Sequence, residues 1–427
     1  MLQKGNTEWF THDRFGIFIH WGLYALPARG EWIKRHEKIS EEQYSRYFKR
    51  FNPDLFAPQV WADAAAKAGM KYFVMTTKHH DGFCLWDSKL TDYKSVNTPF
   101  GKELLSPILK AFRDKNFKPG LYHSLYDWHH PDYIIDHAHP LREHPDALEM
   151  NKKRDMKKYS DYLHGQVKEL LTEFGKIDIM WFDMSFKACE YELSQGFNGK
   201  GKNEWDSEKL IKMIRKLQPE IILNNRLDID QDIVTPEQFM PRECIKREGK
   251  PVIWESCQTL NGSWGYNPNA EEWKSPEQLI QLLVNAVSSD GNLLMNISPT
   301  GRGDIDAKTL ECLDVYGEWM AKHSRSIYGC GESQFVPPAG CQYTQNGKTL
   351  YLHIFNWPFK HMHLDGFDGR IEYAQMLHDA SEVKFTESSK YEPGGYTSMS
   401  VKKDSVVFHL PIKKPDVTVP VVEIFLK

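Results

Sequence analysis

The chain has 427 residues, more than one compact core usually holds, so a large domain followed by a small one is the first expectation. Its 54 basic and 58 acidic residues leave a net charge of −4. Neither sign gathers into a block, which argues against nucleic acid and anionic membrane as partners.

The N-terminal residues 1–6 lack the basic and apolar regions of a signal peptide, and no apolar run approaches the ~18 residues of a membrane span, so a cytoplasmic location is expected. Seven cysteines are scattered without a Cys-x-x-Cys pair, so reduced thiols are expected rather than a disulfide framework or a zinc ribbon. Aromatic residues make up 13% of the chain. Such rings cover the C–H faces of sugars, although large α/β cores can be equally aromatic.

In chain order, short β-branched or aromatic runs predict strands over residues 15–20, 72–79, 119–125, 177–183, 221–226, 251–255 and 292–297. Amphipathic stretches predict helices over 58–68, 103–115, 148–174, 207–217, 276–288 and 307–322. Seven strand–helix repeats imply an α/β fold, an irregular (β/α)8-like TIM barrel whose eighth strand is weak or missing. A doubly wound sheet is the alternative, but no Gly-rich dinucleotide turn follows the first strand. After Gly329 the texture changes. Residues 336–340 read as a linker, and short alternating runs at 349–355, 362–364, 371–377, 405–410 and 421–426 predict a β-sandwich. The expected division is a catalytic barrel over 1–335 and a C-terminal β-sandwich over 336–427, the latter structural in role, with accessory sugar binding as the alternative.

The active site of such a barrel forms at the C-terminal ends of its strands. The residues there are His20, His79 with His80, Tyr122 with His123, Trp181 with Asp183, Asn224 to Arg226, Trp254 with Glu255, and Asn296. Imidazoles, amides, an arginine and carboxylates among aromatic rings suit a polyhydroxylated ring, which needs hydrogen-bond partners at its edge and flat walls for its faces. Cleaving a glycoside takes two carboxyl groups. Asp183 ends an apolar run that reads as a buried strand, which makes it the nucleophile candidate; a helix N-cap is the plain alternative. For the acid, Glu255 at a predicted strand end and Glu237 in the long loop after the fifth strand both remain open. A metal-dependent hydrolase, suggested by His129, His130, His137, His139 and His144, lacks strand-end spacing. A non-catalytic sugar-binding protein would have little need of Asp183.

Several stretches together carry a resemblance: residues 15–22 (Phe15 to Gly22), Thr76 to Phe83, Trp181 to Met184, Ser263 to Asn267, and Gly291 to Ile297. Over about residues 8–330 the chain resembles glycoside hydrolase family 29, the α-L-fucosidases. The resemblance implies a barrel followed by a β-sandwich, no cofactor and no metal, and a fucosylated glycan as partner, with a homo-oligomer compatible. It implies that His20, His79 and His80 contact the fucose hydroxyls with Glu31 and Trp32 closing the same edge, that Tyr122 makes a further sugar contact, that Trp181 is a binding aromatic, and that Asp183 is the nucleophile. Arg226 matches an arginine near the acid, and Phe18 and Trp264 match the apolar wall for the C5 methyl group. The stretch Thr235-Pro236-Glu237 is similar to the acid-bearing loop of one branch, which favours Glu237 over Glu255. The activity implied is retaining hydrolysis of terminal fucose, with transfucosylation when an acceptor sugar outcompetes water.

Overall fold

The computed structural model describes residues 4–390 and 401–427; Met1 to Gln3 of the N-terminal reading and residues 391–400 of the C-terminal region lie outside them. Seven strands form one parallel sheet: β1 (Phe15–Ile19), β2 (Tyr72–Lys78), β3 (Lys118–Ser124), β4 (Ile179–Asp183), β5 (Ile222–Leu223), β6 (Glu255–Thr259) and β7 (Asn292–Ile297). Their order is β5-β4-β3-β2-β1-β7-β6. The two edges, β5 and β6, are bridged by residues 233–237, which make single parallel pairings from Ile233 to Asn224, Val234 to Trp254 and Glu237 to Cys257. This segment is the degenerate eighth strand. Pro236 within it has no N–H to donate, so the ladder cannot run unbroken, although its carbonyl still accepts from the Cys257 N–H.

Side chains alternate along each strand and so form two shells. Phe18, Val74, Tyr122, Ile179, Trp181 and Leu294 pack in one inner cluster. Their neighbours Ile17, Met75, Leu121, Met180, Phe182 and Leu293 belong to the outer cluster shared with the helices. Burial on both faces explains why most of these strands read as continuous apolar runs. The barrel floor is closed by the short helix Glu8–Asp13, whose Phe10 joins the inner cluster and whose carbonyl accepts from Asn292 Nδ2 at 2.8 Å.

Helices Ser207–Leu217 and Pro276–Ser288 fall where the periodicity puts them. The long pattern over 148–174 is instead two helices, Ala147–Asn151 and Met156–Glu173. The second starts afresh at Asp155, whose carboxylate accepts from the N–H groups of Lys157 and Lys158. Helix Glu41–Phe48, absent from the sequence reading, carries a capping box in which Ser40 and Gln43 bond reciprocally.

The sixth strand differs most from expectation. Its apolar-looking candidate, residues 251–255, is mostly loop, and the strand is the polar run Glu255–Thr259.

Beyond the barrel, strands Cys341–Asn346, Thr349–Ile354, Val421–Leu426 and Ile371–Met376 form one antiparallel sheet, and His361–Asp365, Ser405–His409 and Phe385–Glu387 a second. They enclose a separate core that includes Leu350, Leu364, Val406 and Ile424. Trp319 Nε1 donates to the Val419 carbonyl at 2.9 Å, and Thr344 Oγ1 to the Ser326 carbonyl at 2.7 Å, joining the C-terminal region to helix Ala307–His323 and to the turn Ser324–Ser326 after it. Among the described residues, no helix is long and apolar enough to cross a membrane.

Candidate active site

A residue two places after an inward-facing one also faces inward. Asp183 follows Trp181, His20 follows Phe18, and Asn296 follows Leu294, so these three polar groups aim along the barrel axis toward its C-terminal mouth. There His20 and Asp183 face a cleft of about 410 Å³, lined by Phe18, His20, Glu31, Trp32, His79, His80, Tyr122, Trp181, Asp183, Met184, Glu237, Cys257 and Trp264.

Arg226 organises the carboxylates. Its Nη1 lies 2.6 Å from Asp183 Oδ1 and 2.8 Å from Glu237 Oε2. One nitrogen thus touches both acids, and those two oxygens lie no further apart than the two contacts laid end to end. That bound falls short of the ~6.5–9.5 Å at which inverting glycosidases hold their two carboxyl groups to leave room for a water. Arg226 is itself held by Thr235, through Nε to Oγ1 at 3.1 Å and Nη2 to the carbonyl at 3.2 Å, and lies 4.5 Å from the Trp181 ring centroid.

Tyr122 Oη donates to Asp183 Oδ2 at 2.9 Å. Burial pushes the Asp183 carboxyl up, but the Arg226 charge, with His80 and the Tyr122 hydroxyl, outweighs it and holds the group below its ordinary range. Because burial drives His80 itself down to about 4, that imidazole is neutral near pH 7, and Arg226 supplies the compensating charge.

Two of the imidazoles, His20 and His80, are held by partners outside the cleft. Asn296 Nδ2 donates to the Trp264 carbonyl at 2.8 Å, which leaves Oδ1 to accept from His20 Nδ1 at 2.7 Å. Burial lowers His20 to about 3, so it is neutral, carries its proton on Nδ1, and presents Nε2 as an acceptor. His80 Nδ1 pairs with Ser124 Oγ at 2.6 Å, and its Nε2 lies 3.8 Å from Asp183 Oδ2. His79 stacks on Tyr122 with ring centroids 5.6 Å apart. Glu31 Oε2 accepts from the Gly265 N–H at 2.7 Å; burial, with the charges of Glu237 and Asp183 adding to it, raises its carboxyl. Phe18 and Trp264 meet edge to face at 5.9 Å, and Trp32 packs on His80 at 5.0 Å.

Some expectations need correction. Glu255 begins β6 instead of ending a strand, and so sits deep in the barrel below the cleft, fully buried. Its Oε2 accepts from Tyr72 Oη at 2.5 Å and its Oε1 from Trp181 Nε1 at 3.2 Å, while burial pushes its carboxyl up to about 7. Glu237 does not ride a free loop: the N–H of Gln238 bonds the Cys257 carbonyl at 3.0 Å, and Cys257 N–H bonds the Pro236 carbonyl at 3.1 Å. His123 points outward to Thr77 Oγ1 at 3.1 Å, Trp254 Nε1 to the Ser289 carbonyl at 3.1 Å, and Asn224 ties β5 to Phe182. The histidines after β3 also scatter: His129 stacks on Tyr93 and pairs with Glu41, and the Nδ1 atoms of His130, His139 and His144 accept backbone N–H groups of Asp132, Leu141 and Asp146.

Two lining residues escaped the sequence reading. Cys257 shares the inward face of β6 with Glu255, so correct placement of that strand would have found it. Met184 takes φ 76°, rare for a bulky side chain, as the chain leaves Asp183, and it lines the cleft.

Known proteins match this chain over most of its length. The α-L-fucosidase family model matches residues 2–325. The fold is similar to α-L-fucosidase isoenzyme 1 from Paenibacillus thiaminolyticus, 42% identical over 99% of this chain and 98% of that one, with a TM-score of 0.89. It is also similar to a family 29 α-L-fucosidase from Bacteroides thetaiotaomicron trapped as a covalent intermediate with 2-fluoro-fucosyl fluoride, at 25% identity, 100% and 98% coverage and a TM-score of 0.82. Human tissue α-L-fucosidase is 28% identical over 82% of this chain and 76% of its own length.

Proposed function

The chain belongs to glycoside hydrolase family 29, the α-L-fucosidases, and from that premise we propose which of its residues carry the reaction. The enzyme is a retaining, exo-acting α-L-fucosidase that removes terminal α-L-fucosyl residues from fucosylated glycans by double displacement. In the first step an Asp183 oxygen bonds to the anomeric carbon as the bond to the aglycone oxygen breaks, and Glu237 delivers its proton to that oxygen. In the second, Glu237 takes a proton from water, whose oxygen displaces Asp183 from the anomeric carbon; an acceptor sugar in place of water gives transfucosylation. The observation that carries this reading is the single Arg226 nitrogen in contact with both carboxylates.

Arg226 also keeps Asp183 ionised and therefore nucleophilic despite its burial. His20, His79, His80, Glu31, Trp32 and Tyr122 bind the ring hydroxyls. A neutral His20 with a free Nε2 suits a hydroxyl that donates. Phe18 and Trp264 receive the C5 methyl group, and Trp181 forms the wall behind Asp183. Glu255 takes no part in proton transfer to the leaving group, since it lies behind Trp181. We also propose a division at residues 335/336, supported by the separate core of the C-terminal sheets, and a cytoplasmic location, supported by seven cysteines that are all free thiols.

Following 4-nitrophenyl α-L-fucoside hydrolysis by proton NMR tests the function: α-L-fucose should appear first, before mutarotation. First appearance of the β-anomer would overturn the carboxylate assignment along with the retaining mechanism.

A further inference from the structure

Beside the cleft lies a second concavity, enclosing about 1180 Å³ and open to solvent. Its walls come from the chain after β1 (Arg35), after β3 (His137 and Arg142) and after β4 (Glu192 and Tyr191). All follow the C-terminal ends of barrel strands, so the concavity opens on the same face as the cleft. Trp32 stands between the two: the Arg35 guanidinium lies 5.4 Å from its ring centroid, and the same ring packs on His80.

Two guanidinium groups converge there with unused donors. Among the described residues Arg35 has no carboxylate partner; its Nη2 reaches only the His137 carbonyl, at 3.5 Å, and its Nε is buried without an acceptor. Arg142 gives Nη2 to Glu143 at 2.8 Å, but its Nη1 is likewise buried without an acceptor, and His137 Nδ1 has no partner. The carboxylates nearby are already engaged. Glu143 also pairs with Lys38 at 2.5 Å, and Glu192 with His137 Nε2 at 3.3 Å and the Cys189 N–H at 2.8 Å. Burial, and then the neighbouring charge of Arg142, weaken the hold of Arg35 on its proton. Buried N–H groups of like-charged neighbours cost free energy until an anion joins them.

We propose that this concavity receives the leaving part of the substrate and selects an aglycone that bears an acidic group, a sulfate ester or a sugar carboxylate, gripped between Arg35 and Arg142. Both anions match the planar fork of arginine. Tyr191, 74% exposed on the rim, offers its ring face to the sugar that carries the group. The proposal rests on the fucosidase reading.

The test measures kcat/KM at low ionic strength for four substrates: the aryl fucoside, a neutral fucosylated oligosaccharide, and the same oligosaccharide bearing either a sulfate or a carboxylate on the aglycone. One acidic substrate or both should exceed the neutral one on the order of 10-fold, as a charge-assisted pair would give, and 0.5 M salt should shrink that ratio. Arg35→Gln and Arg142→Gln should each reduce the preference several-fold and leave aryl fucoside hydrolysis within about twofold. Equal rates on acidic and neutral substrates, or a preference that survives in both variants, would overturn the proposal. A wild-type enzyme inert toward the aryl fucoside would count against the fucosidase reading instead.

Discussion

Replacing Glu255 by Gln should stabilise the protein in alkaline buffer and not in acid. The carboxyl has an ordinary value of 4.5, and burial raises it to about 7 in the folded state. The folded protein therefore holds this proton more tightly than the unfolded chain. Its stabilising share is complete below pH 4.5, is lost as pH rises toward 7, and stays lost above it. At 1.36 kcal/mol for each pH unit of the gap, the full loss is about 3 kcal/mol. Gln has no proton to lose. Its carbonyl can accept from Trp181 Nε1 and its amide can donate to Tyr72 Oη, the two atoms that Glu255 already contacts, so the exchange itself should cost about 1 kcal/mol. Glu255→Gln should then be about 2 kcal/mol more stable than wild type at pH 8 and slightly less stable at pH 5. Urea unfolding of both proteins from pH 5 to 8.5 reads the difference directly, and other titrating groups cancel in it. A difference that stays flat across this range would refute the argument, because Glu255 would then not titrate in the barrel interior.

The remaining predictions concern the reaction. Asp183→Gly should lower turnover by several orders of magnitude, and azide should restore part of it with a β-fucosyl azide as product; retention of more than about a tenth of wild-type turnover would exclude Asp183 as nucleophile. Glu237→Ala should slow substrates with poor leaving groups by about 10²–10⁴-fold while sparing activated aryl fucosides, since the latter need little proton assistance. Finding that dependence in Glu255→Gln and not in Glu237→Ala would reverse the assignment. Wild type should discriminate against an aryl L-galactoside by only about 10²-fold, because an apolar pocket rejects an added hydroxyl weakly. Trp264→Ala should narrow that gap; an unchanged ratio of kcat/KM values would remove Trp264 from the methyl wall.

The local sequence determined a good deal. Strands buried on both faces are mostly apolar, so β1, β2, β4 and β7 announced themselves, and period-two alternation then carried His20, Asp183 and Asn296 to the inner face. The helices with strong amphipathic periodicity fell in place for the same reason. Burial without apolarity defeated the reading at β6: Glu255–Thr259 is buried throughout, yet its polar groups are satisfied by partners such as Phe239, to whose carbonyl Ser256 Oγ donates, and Gln238, whose Nε2 reaches Thr259 Oγ1. A buried strand held by hydrogen bonds leaves no hydrophobic signal. Residue type and position alone left Glu237 and Glu255 open, and only the resemblance of the Thr235-Pro236-Glu237 stretch favoured Glu237, because what separates the two carboxyls is depth, not type. Only the closed barrel puts one carboxyl beside Arg226 at the mouth and the other behind Trp181, and only the pairing of residues 233–237 between β5 and β6 anchors the chain that carries Glu237. Distances between groups more than forty residues apart, as Asp183 and Arg226 are, are set by sheet closure and register, which no local pattern encodes.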